Sequence, residues 1–401
     1  MYDPNPETVT ALDLGATRFR AAVVGVDGGA SPIAWAARPS MGMRRSALVD
    51  LPAAATAIRE LVHEVWDRAE VDPHPVVVTV GGDHVRSLDS KSSLSLGASG
   101  AKVRPEHLEQ LAEQSQAIDV PFDRIILHSL PIAYAVDETT GVDTPVGMVG
   151  TRVALEAHVV TAEQSVVGTL KQAVAMADLE VEDHVFAACA SGEFLVGGDE
   201  RQGGCLAIDV GAETTHYALF CRGRLRRSGA VPVGGNHVPR DLAWGLEVDE
   251  RMAERLKRRW GTALRTIEVA PTSADEDVAP PEEIRARIAA ICEARQQELM
   301  ELVAHGLQWG ITRPSLASGI VLTGGGSRLR GSDALAEQVF GARAECRRTT
   351  PDDADSEPES WAQAFGAARF AVQERPRRAA VAAGGRSGLW DTVQGWISHL
   401  V

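Results

Sequence analysis

The chain has 401 residues, enough for two domains that each bury a core of their own. Forty basic and 55 acidic residues give a net charge of −15, which disfavours a nucleic-acid partner because such a surface repels phosphates. No apolar run approaches the roughly 18 residues of a membrane span, and the first residues, MYDPNPETV, lack the basic and apolar regions of a signal peptide.

The first predicted element is a β-hairpin over residues 9–25, with the sequence VTALDLGATRFRAAVVG. Apolar and β-branched residues flank a short turn, as a hairpin on a sheet requires. Glycine lets a ligand approach the backbone of the turn, where backbone N–H groups and a threonine hydroxyl can bind an anion. We therefore predict a phosphate-binding loop that consists of Asp13, Gly15, Ala16, Thr17 and Arg18.

The next part of the chain alternates between strand and helix patterns, which is typical of an α/β protein. Strands are predicted within residues 76–97, 123–137 and 151–162. Helices are predicted at residues 104–118 and 163–178.

A second hairpin, CLAIDVGAETTHYALFCRG at residues 205–223, repeats the design of the first. Its strand-ending Asp209 lies 196 residues after Asp13. Because Mg²⁺ prefers carboxylate and water oxygens, both aspartates are predicted to hold Mg²⁺ through water. The repetition predicts two similar lobes with a cleft between them. The phosphate-binding residues of the second hairpin are predicted to be Asp209, Gly211, Ala212, Thr214 and Thr215.

The remaining elements before the C-terminus are four predicted helices and one buried strand. The helices lie at residues 237–246, 249–261, 283–306 and 361–373. The strand belongs to GIVLTGGG, residues 319–326, and runs into a triple-glycine turn. Because glycine has no side chain, this turn lets the backbone lie against a purine and its α-phosphate.

The chain ends in a predicted amphipathic helix, GLWDTVQGWISHLV, which follows a predicted flexible linker at residues 374–388. The apolar residues of this helix fall on one stripe. Tryptophan favours the membrane interface, and a core element is rarely tethered by so long a linker. The pattern therefore favours a membrane anchor over a helix docked on the protein or on a partner. The membrane-facing residues are predicted to be Leu389, Trp390, Val393, Trp396, Ile397, Leu400 and Val401.

The hairpins and the glycine turn resemble motifs of a known superfamily. DLGATR and DVGAETT are similar to the two phosphate loops of the ATPases that include actin, sugar kinases and heat-shock chaperones, and GIVLTGGG is similar to their adenosine motif. Residues 127–161 and the stretches VGGDHVRSLDSKSSLSL and VPVGGNHVPRDLAWGL resemble, within that superfamily, the FtsA family of bacterial cell-division actin homologues. The likeness extends from about residue 9 to residue 373.

The resemblance implies an α/β, actin-like (ribonuclease H-like) fold of two lobes with an FtsA-type inserted subdomain. It also implies where the chain divides. The expected divisions are residues 1–80 with 163–204 for the first lobe, 81–162 for the insert, 205–236 with 311–373 for the second lobe, 237–310 for a fourth subdomain on the adenine side, 374–388 for the linker and 389–401 for the membrane-targeting helix.

ATP and Mg²⁺ are the cofactors that the resemblance implies. In the stretch ERLK, Glu254 and Lys257 lie three residues apart and therefore share one face of a helix, so both can reach one ligand. The adenosine contacts implied by the resemblance are Gly234, Gly235, Glu254, Lys257, Gly324, Gly325 and Gly326.

Three residues depart from the pattern of the relatives. Glu213 stands in the second phosphate loop where relatives usually have glycine, and His216 stands where they usually have aspartate. A carboxylate near a phosphate repels it by roughly 4 kcal/mol, at about 4 Å and an effective dielectric constant of about 20, unless it points away or helps to hold Mg²⁺. Ala187 matches the position from which relatives orient the attacking water, so we predict ATP binding with slow or absent hydrolysis.

The function that the resemblance implies is a scaffold that polymerises and ties FtsZ to the cytoplasmic face of the inner membrane at the division site. The expected partners are the C-terminal tail of FtsZ, received by the fourth subdomain, further copies of this chain, inner-membrane lipids and other division proteins. A PilM-like adaptor of type IV pilus assembly is the first alternative. A sugar or acetate kinase is the second, although the sequence offers no convincing substrate-binding base for the cleft.

Overall fold

The computed structural model of the protein describes residues 8–26, 30–270, 279–309, 315–348 and 360–382. Within these residues the hydrophobic side chains form four clusters: one in each of two lobes, one in an inserted subdomain and one in a helical subdomain. Each cluster covers one face of a sheet or joins a set of helices, as the burial of apolar surface requires.

The first lobe begins with a three-stranded antiparallel meander, a two-stranded hairpin, a long helix and a strand parallel to the first. These elements are β1 (Thr8–Leu14), β2 (Arg18–Gly25), β3 (Pro32–Pro39), β4 (Met43–Arg44), β5 (Ala47–Leu48), α1 (Leu51–Ala69) and β6 (Val76–Val80). The first strand is buried along almost its whole length because helices cover both faces of the sheet.

Helix α1 shows how local sequence sets an element in this lobe. Asp50 caps its start by accepting a hydrogen bond from the backbone N–H of Ala53 at 3.1 Å, and Pro52 suits the first turn. The helix ends where Glu70 adopts a left-handed conformation with φ of 54°. Its buried face packs on the sheet through Ala54, Ile58, Leu61, Val62 and Val65.

The inserted subdomain consists of a four-stranded antiparallel sheet, a two-stranded ribbon and one helix. Its elements are β7 (Arg86–Ser95), β8 (Ala101–Lys102), α2 (Pro105–Gln116), β9 (Arg124–Val136), β10 (Thr139–Val142), β11 (Val149–Gly150) and β12 (Arg152–Glu163). The sheet has the order β10-β9-β12-β7, and α2 packs on it through Leu108 and Leu111.

After the insert the chain returns to the first lobe through three helices and one strand. These are α3 (Gln164–Met176), β13 (Val181–Phe186), α4 (Ala187–Leu195) and α5 (Gly198–Gly203). Strand β13 pairs in parallel with β6 and completes a sheet of order β13-β6-β1-β2-β3.

The second lobe repeats the sheet of the first. The helical subdomain is inserted into this lobe, and the last helix of the described chain follows it. In chain order the elements are β14 (Cys205–Val210), β15 (Thr215–Cys221), β16 (Arg224–Val231), α6 (His237–Leu246), α7 (Glu250–Trp260), α8 (Glu282–Gly306), β17 (Ile320–Thr323), a 3-10 turn (Gly325–Arg328), α9 (Ser332–Phe340), β18 (Ala344–Cys346) and α10 (Ala362–Ala382). The sheet order is β16-β15-β14-β17-β18, with the same alternation of antiparallel and parallel pairs as in the first lobe. The predicted repeat of lobes is confirmed.

Two helices join the lobes. Helix α10 packs on β1, β2 and β6, helix α4 packs on β14 and β15, and the two helices pack against each other. Their approach is close, since a Cβ at Gly366 would lie 1.8 Å from the carbonyl oxygen of Ala190. Glycine is therefore required at this contact between the lobes.

The structure corrects three of the predicted boundaries. Residues 361–373, assigned to the second lobe, belong to the core of the first. Helix α8 leaves the subdomain 237–310 part-way, because Ile288 packs inside that subdomain whereas Met300 packs in the core of the second lobe. Periodicity shows that a helix face is buried but not against which sheet it packs, and this is the reason for both errors.

The third correction concerns the predicted linker 374–388. Helix α10 continues to Ala382, so the first nine residues of that segment are helical rather than flexible. Arg375 attaches this part to the first lobe through an ion pair with Glu182 at 2.8 Å and a hydrogen bond to the carbonyl of Thr8. Arginine and alanine, which are abundant there, are strong helix formers. The predicted terminal helix 389–401 lies outside the described residues.

Candidate functional site

A cavity of about 850 Å³ lies between the two lobes. The β1–β2 turn, the β14–β15 turn, the triple-glycine turn and helices α7 and α8 each contribute to its wall. The structure therefore brings the matched hairpin turns together in one pocket. The predicted site residues that line it are Asp13, Gly15, Ala16, Thr17, Arg18, Asp209, Gly211, Ala212, Thr214, Gly235, Glu254, Lys257, Gly324, Gly325 and Gly326.

Two predicted site residues do not line the cavity. The buried hydroxyl of Thr215 donates to the carbonyl oxygen of Val233 at 2.8 Å, so it faces the neighbouring chain segment rather than the cleft. Gly234 lies behind the second turn, where a Cβ would come within 2.6 Å of the carbonyl oxygen of Gly211. Both residues support the turn from outside, and the prediction that they contact a ligand directly is not met by their placement.

Asp13 is buried at the end of β1 and has two polar partners. Its carboxylate accepts a hydrogen bond from Thr79 at 2.9 Å and pairs with Arg20 at 3.5 Å. Burial raises the pKa of Asp13, an effect that Arg20 and Thr79 oppose and the charge of Asp209 reinforces. Two carboxylates that repel each other across the cleft are suited to a divalent cation between them.

Asp209 takes the corresponding position at the end of β14. Its carboxylate accepts hydrogen bonds from Ser191 at 2.7 Å and from the amide of Gln363 at 3.1 Å. These donors come from α4 and α10, the helices that join the lobes. The orientation of the second aspartate therefore depends on the contact between the lobes.

His216 faces Asp209 across the second hairpin and reaches the first lobe. Its Nε2 accepts a hydrogen bond from the backbone N–H of Gly82 at 3.3 Å, and its ring meets Phe186 edge-on. Burial lowers the pKa of His216, with Asp209 opposing and His84 reinforcing that effect. A neutral imidazole thus links the lobes at the wall of the cavity.

Glu213, the acidic residue of the second turn, accepts hydrogen bonds from two side chains. Arg240 lies in the first turn of helix α6, and Asn236 directly precedes that helix. Arg240 donates to both of its carboxylate oxygens at 2.9 and 2.6 Å, and Asn236 donates at 3.0 Å. Burial raises the pKa of Glu213, but these hydrogen bonds and the charge of Arg240 outweigh that effect and the pKa is lowered. The carboxylate is therefore ionised and its charge is compensated inside the second lobe.

Helix α7 and the triple-glycine turn form a further part of the cavity wall. Lys257 pairs with Glu254 at 2.8 Å and donates to the carbonyl oxygen of Gly235 at 3.2 Å. Gly324 has a φ of 86° and a Cβ there would lie 2.4 Å from Asp209, whereas a Cβ at Gly325 would meet nothing within 4 Å. The first glycine is thus required by the backbone, and the second leaves space open to the cavity.

Sequence comparison assigns the family. A family profile described as "SHS2 domain inserted in FTSA" matches residues 82–161, and one described as "Cell division protein FtsA" matches residues 206–366. The cell division protein FtsA of Pseudomonas aeruginosa is 31% identical over 342 residues, which cover 83% of this chain and 81% of that protein. The FtsA of Agrobacterium fabrum is 33% identical over 75% of this chain and 69% of that protein. The chain belongs to the FtsA family.

Solved structures support the actin-like fold that this family implies. The PilM–PilN type IV pilus biogenesis complex superposes with a TM-score of 0.65 at 20% identity, covering 92% of this chain and 99% of the matched chain. MreB5 of Spiroplasma citri bound to ADP superposes with a TM-score of 0.51 at 15% identity, covering 95% and 100%. At such identities the likeness concerns the fold alone, so PilM does not compete with FtsA for the assignment.

Further cavity residues of this FtsA relative were missed from the sequence. They are Arg20, Thr79, Gln296, Arg330 and Gln363. Two of them left a signal: Arg20 takes the place in the first hairpin that His216 takes in the second, and Gln296 is the polar residue at a helical position otherwise occupied by Ile288, Cys292, Leu299 and Val303. The others reach the cavity from distant segments, which periodicity does not reveal.

Proposed function

We propose that this member of the FtsA family binds ATP with Mg²⁺ in the cleft between its lobes and acts as a membrane-bound scaffold of the division site. The observation that carries the nucleotide proposal is the meeting of two glycine-containing turns and a triple-glycine turn in one cavity. Backbone N–H groups of such turns bind phosphate, and MreB5 of the same fold has been solved with ADP.

The residues present fit this ligand. Ala16, Thr17, Ala212 and Thr214 line the phosphate part of the cavity with small side chains and hydroxyls, as close approach to phosphate requires. Asp13 and Asp209 would hold Mg²⁺, whose charge would offset their mutual repulsion and the burial of Asp13. The bound cation would neutralise phosphate charge, and the turns would orient the phosphates.

Titration with a fluorescent ATP analogue tests this proposal. We expect binding that Mg²⁺ strengthens, and we expect Asp13→Asn to remove most of the strengthening. Loss of the Mg²⁺ effect in Asp178→Asn, whose carboxylate pairs with Arg59 on the surface, would show that the effect is not site-specific. Absence of nucleotide binding by the unaltered protein would refute the proposal.

Hydrolysis is expected to be slow or absent. Ala187 begins helix α4, is buried and carries no group that could orient water. A turnover well above about one per minute by the purified protein would contradict this expectation. Slow hydrolysis leaves ATP bound until it is exchanged. This suits a scaffold whose conformation depends on whether nucleotide is bound rather than on rapid turnover.

The helix predicted at residues 389–401 is the proposed membrane anchor. Its apolar stripe contains Trp390 and Trp396, while Arg377, Arg378 and Arg386 precede it and contribute about 1 kcal/mol each near an anionic surface. A single short helix binds reversibly, so copies joined in a filament would bind far more tightly than one copy. Within the described ranges no helix is long and apolar enough to cross a membrane.

Co-sedimentation with anionic liposomes tests the anchor. Replacing both Trp390 and Trp396 by glutamate is expected to leave the protein in the supernatant, because charged side chains are excluded from the apolar part of the interface. Replacing both by phenylalanine keeps the stripe apolar and should retain most of the binding. Sedimentation of the glutamate variant to the same extent as the unaltered protein would exclude the anchor.

The helical subdomain is proposed to receive the C-terminal tail of FtsZ. Its helices α6 and α7 present Trp244, 87% exposed, and Met252, 37% exposed, together with exposed Arg251 and Arg255. In a chain of net charge −15, exposed apolar and basic side chains on neighbouring helices suit a peptide that is both apolar and acidic.

A labelled FtsZ tail peptide tests this surface by fluorescence anisotropy. Trp244→Ala is expected to weaken binding about tenfold or more, since an exposed tryptophan that anchors a peptide often dominates its affinity. Phe122→Ala is the matched control, because Phe122 is 97% exposed on the insert, away from the helical subdomain. An unchanged affinity in Trp244→Ala would place the peptide elsewhere.

A further inference from the structure

The inserted subdomain contacts both lobes. It is joined covalently to the first lobe, because β7 follows β6 and β12 runs directly into α3. It also packs on β16, the edge strand of the second lobe, through β7, β9 and β12. The insert therefore forms a connection between the lobes in addition to helices α4 and α10.

A buried histidine and a buried serine lie in this contact. His158 of β12 is 1% exposed and Ser228 of β16 is 2% exposed, and the Nε2 atom of His158 shares a hydrogen bond with the Ser228 hydroxyl at 2.8 Å. The hydroxyl of Ser87 on β7 donates to the carbonyl oxygen of Ser228 at 2.7 Å. Because buried polar groups are costly without their partners, these bonds fix β16 at one position on the insert.

Charged side chains flank the buried pair. Asp89 lies opposite His158 in the register of β7 and β12, and its carboxylate is 3.5 Å from Nδ1 of His158. Arg226 of β16 pairs with Asp89 at 3.2 Å and with Glu156 at 3.4 Å. Both carboxylates belong to the insert and the guanidinium to the second lobe, so the attraction acts across the contact. We name this group the insert latch; its residues are Ser87, Asp89, Glu156, His158, Arg226 and Ser228.

A β-bulge places Arg226 out of the regular pairing of its strand. Leu219 of β15 lies opposite Arg227 and Phe220 lies opposite Leu225, which leaves Arg226 as an extra residue on β16. Bulges of this kind redirect a side chain. The sheet of the second lobe is thus irregular at the residue that pairs with the insert.

Both sides of the latch continue into the wall of the inter-lobe cavity. On the insert side, Ser87 comes three residues after His84, which lines the cavity. On the side of the second lobe, Ser228 pairs with Ala218, which lies two residues after the cavity residue His216 on β15. Displacement of the latch strands would therefore move segments of the wall that belong to both lobes.

We propose that the insert latch positions the wall of the nucleotide cleft, so that latch formation and ATP binding strengthen each other, an inference that rests on the proposed nucleotide binding. With the latch formed, the segment before β7 and the strand pair β15–β16 are held at one spacing. With the latch broken, ATP must order these segments itself, which lowers its affinity. By linkage, bound ATP stabilises the latch to the same extent. A ligand that displaces the insert from β16 therefore weakens ATP binding, and loss of ATP makes that displacement easier.

The first measurement is the affinity of the full chain for Mg²⁺–ATP. Arg226→Glu places a third carboxylate beside Asp89 and Glu156 and should break the latch, which weakens ATP binding about three- to tenfold. Arg227→Glu makes the same change of charge at the next residue, whose guanidinium donates to Gln308 of the second lobe at 3.1 Å, and it should leave the affinity nearly unchanged. Arg226→Glu combined with Asp89→Arg restores an ion pair of reversed polarity and should recover most of the affinity.

Hydrogen exchange distinguishes coupling from a general loss of stability. In the unaltered protein, Mg²⁺–ATP should slow amide exchange at residues 86–92 and 224–230 as well as at the two phosphate turns. In Arg226→Glu, saturating Mg²⁺–ATP should still slow exchange at the turns but not at these two latch segments. Arg226→Met, which removes both ion pairs without adding a charge, is the second variant in case glutamate disturbs folding.

The outcomes are distinguishable. An unaltered protein that binds no nucleotide refutes the proposed function, and the coupling with it. Unchanged ATP affinity in Arg226→Glu, or an equal loss in Arg227→Glu, refutes only the role of the latch. Exchange at the latch segments that ATP does not alter in the unaltered protein also refutes that role, because the latch would then be a static contact.

Discussion

Arg240 is expected to control nucleotide affinity without contacting the nucleotide. Glu213 lines the cavity in the second phosphate loop, and Arg240 lies behind it and donates to both carboxylate oxygens. In Arg240→Ala the carboxylate keeps its place in the loop but loses its compensating charge. We therefore expect the variant to bind ATP more weakly while keeping the same fold.

The size of the effect follows from Coulomb's law. One uncompensated charge about 6 Å from a phosphate charge costs roughly 3 kcal/mol at an effective dielectric constant of about 20, and about half as much at 40. These values correspond to a loss of about ten- to one-hundredfold in affinity. The 31% exposure of the Arg240 side chain favours the lower end, because water screens an exposed charge.

The charges predict opposite effects for the two partners. Glu213→Gln leaves the positive charge of Arg240 near the phosphates, so ATP should bind more tightly than to the unaltered protein. The double variant should return close to the original affinity, because both charges are absent. Titration with a fluorescent ATP analogue at low ionic strength, repeated at high salt where the differences should shrink, measures all four proteins.

The pattern of the four affinities decides the interpretation. If Glu213 and Arg240 only brace the loop, each single variant and the double variant should bind ATP more weakly. Tighter binding by Arg240→Ala, or weaker binding by Glu213→Gln, would refute the electrostatic reasoning. A melting temperature measured without nucleotide identifies any variant that fails simply because it does not fold.

Two further predictions concern the glycine turn and the histidine of the cleft. Gly324→Ala should lower the free energy of unfolding by about 1–3 kcal/mol, because the φ of Gly324 is positive and a Cβ there would lie 2.4 Å from Asp209. Gly325→Ala should have the same free energy of unfolding in denaturant as the unaltered protein. It should bind ATP less tightly, since its Cβ enters open space at the cavity. Because burial holds the pKa of His216 below 6.5, the unfolded chain takes up a proton first as the pH falls, so stability should decrease below about pH 6.5. Melting curves from about pH 7.5 to 5.5 should be flatter for His216→Gln, and an equal slope would mean that other groups carry the effect.

Much of the fold could be predicted because it is written in local patterns. Strand alternation, apolar stripes and turn residues placed the hairpins β1–β2 and β14–β15, the helix α2 and the long helix α8 close to their observed bounds. The repeated Asp-to-glycine turn also predicted two lobes, since one supersecondary unit that occurs twice implies two similar sheets.

The candidate site was only partly predictable, because adjacent residues can face opposite directions. Thr214 lines the cavity, whereas Thr215 turns its hydroxyl to Val233, and the alternation of a strand sets this difference once its register is known. Arg240, which binds Glu213, lies 27 residues further along the chain on helix α6, so no local rule connects the two.

The sequence by itself determined most of the elements, the repeated glycine-containing turns and the family, because each depends on residues that are neighbours along the chain. The tertiary structure decided which lobe receives the last helix and how the charge of Glu213 is compensated. Those outcomes depend on contacts between segments far apart in the chain, and burial in the folded protein is what makes each of them matter energetically.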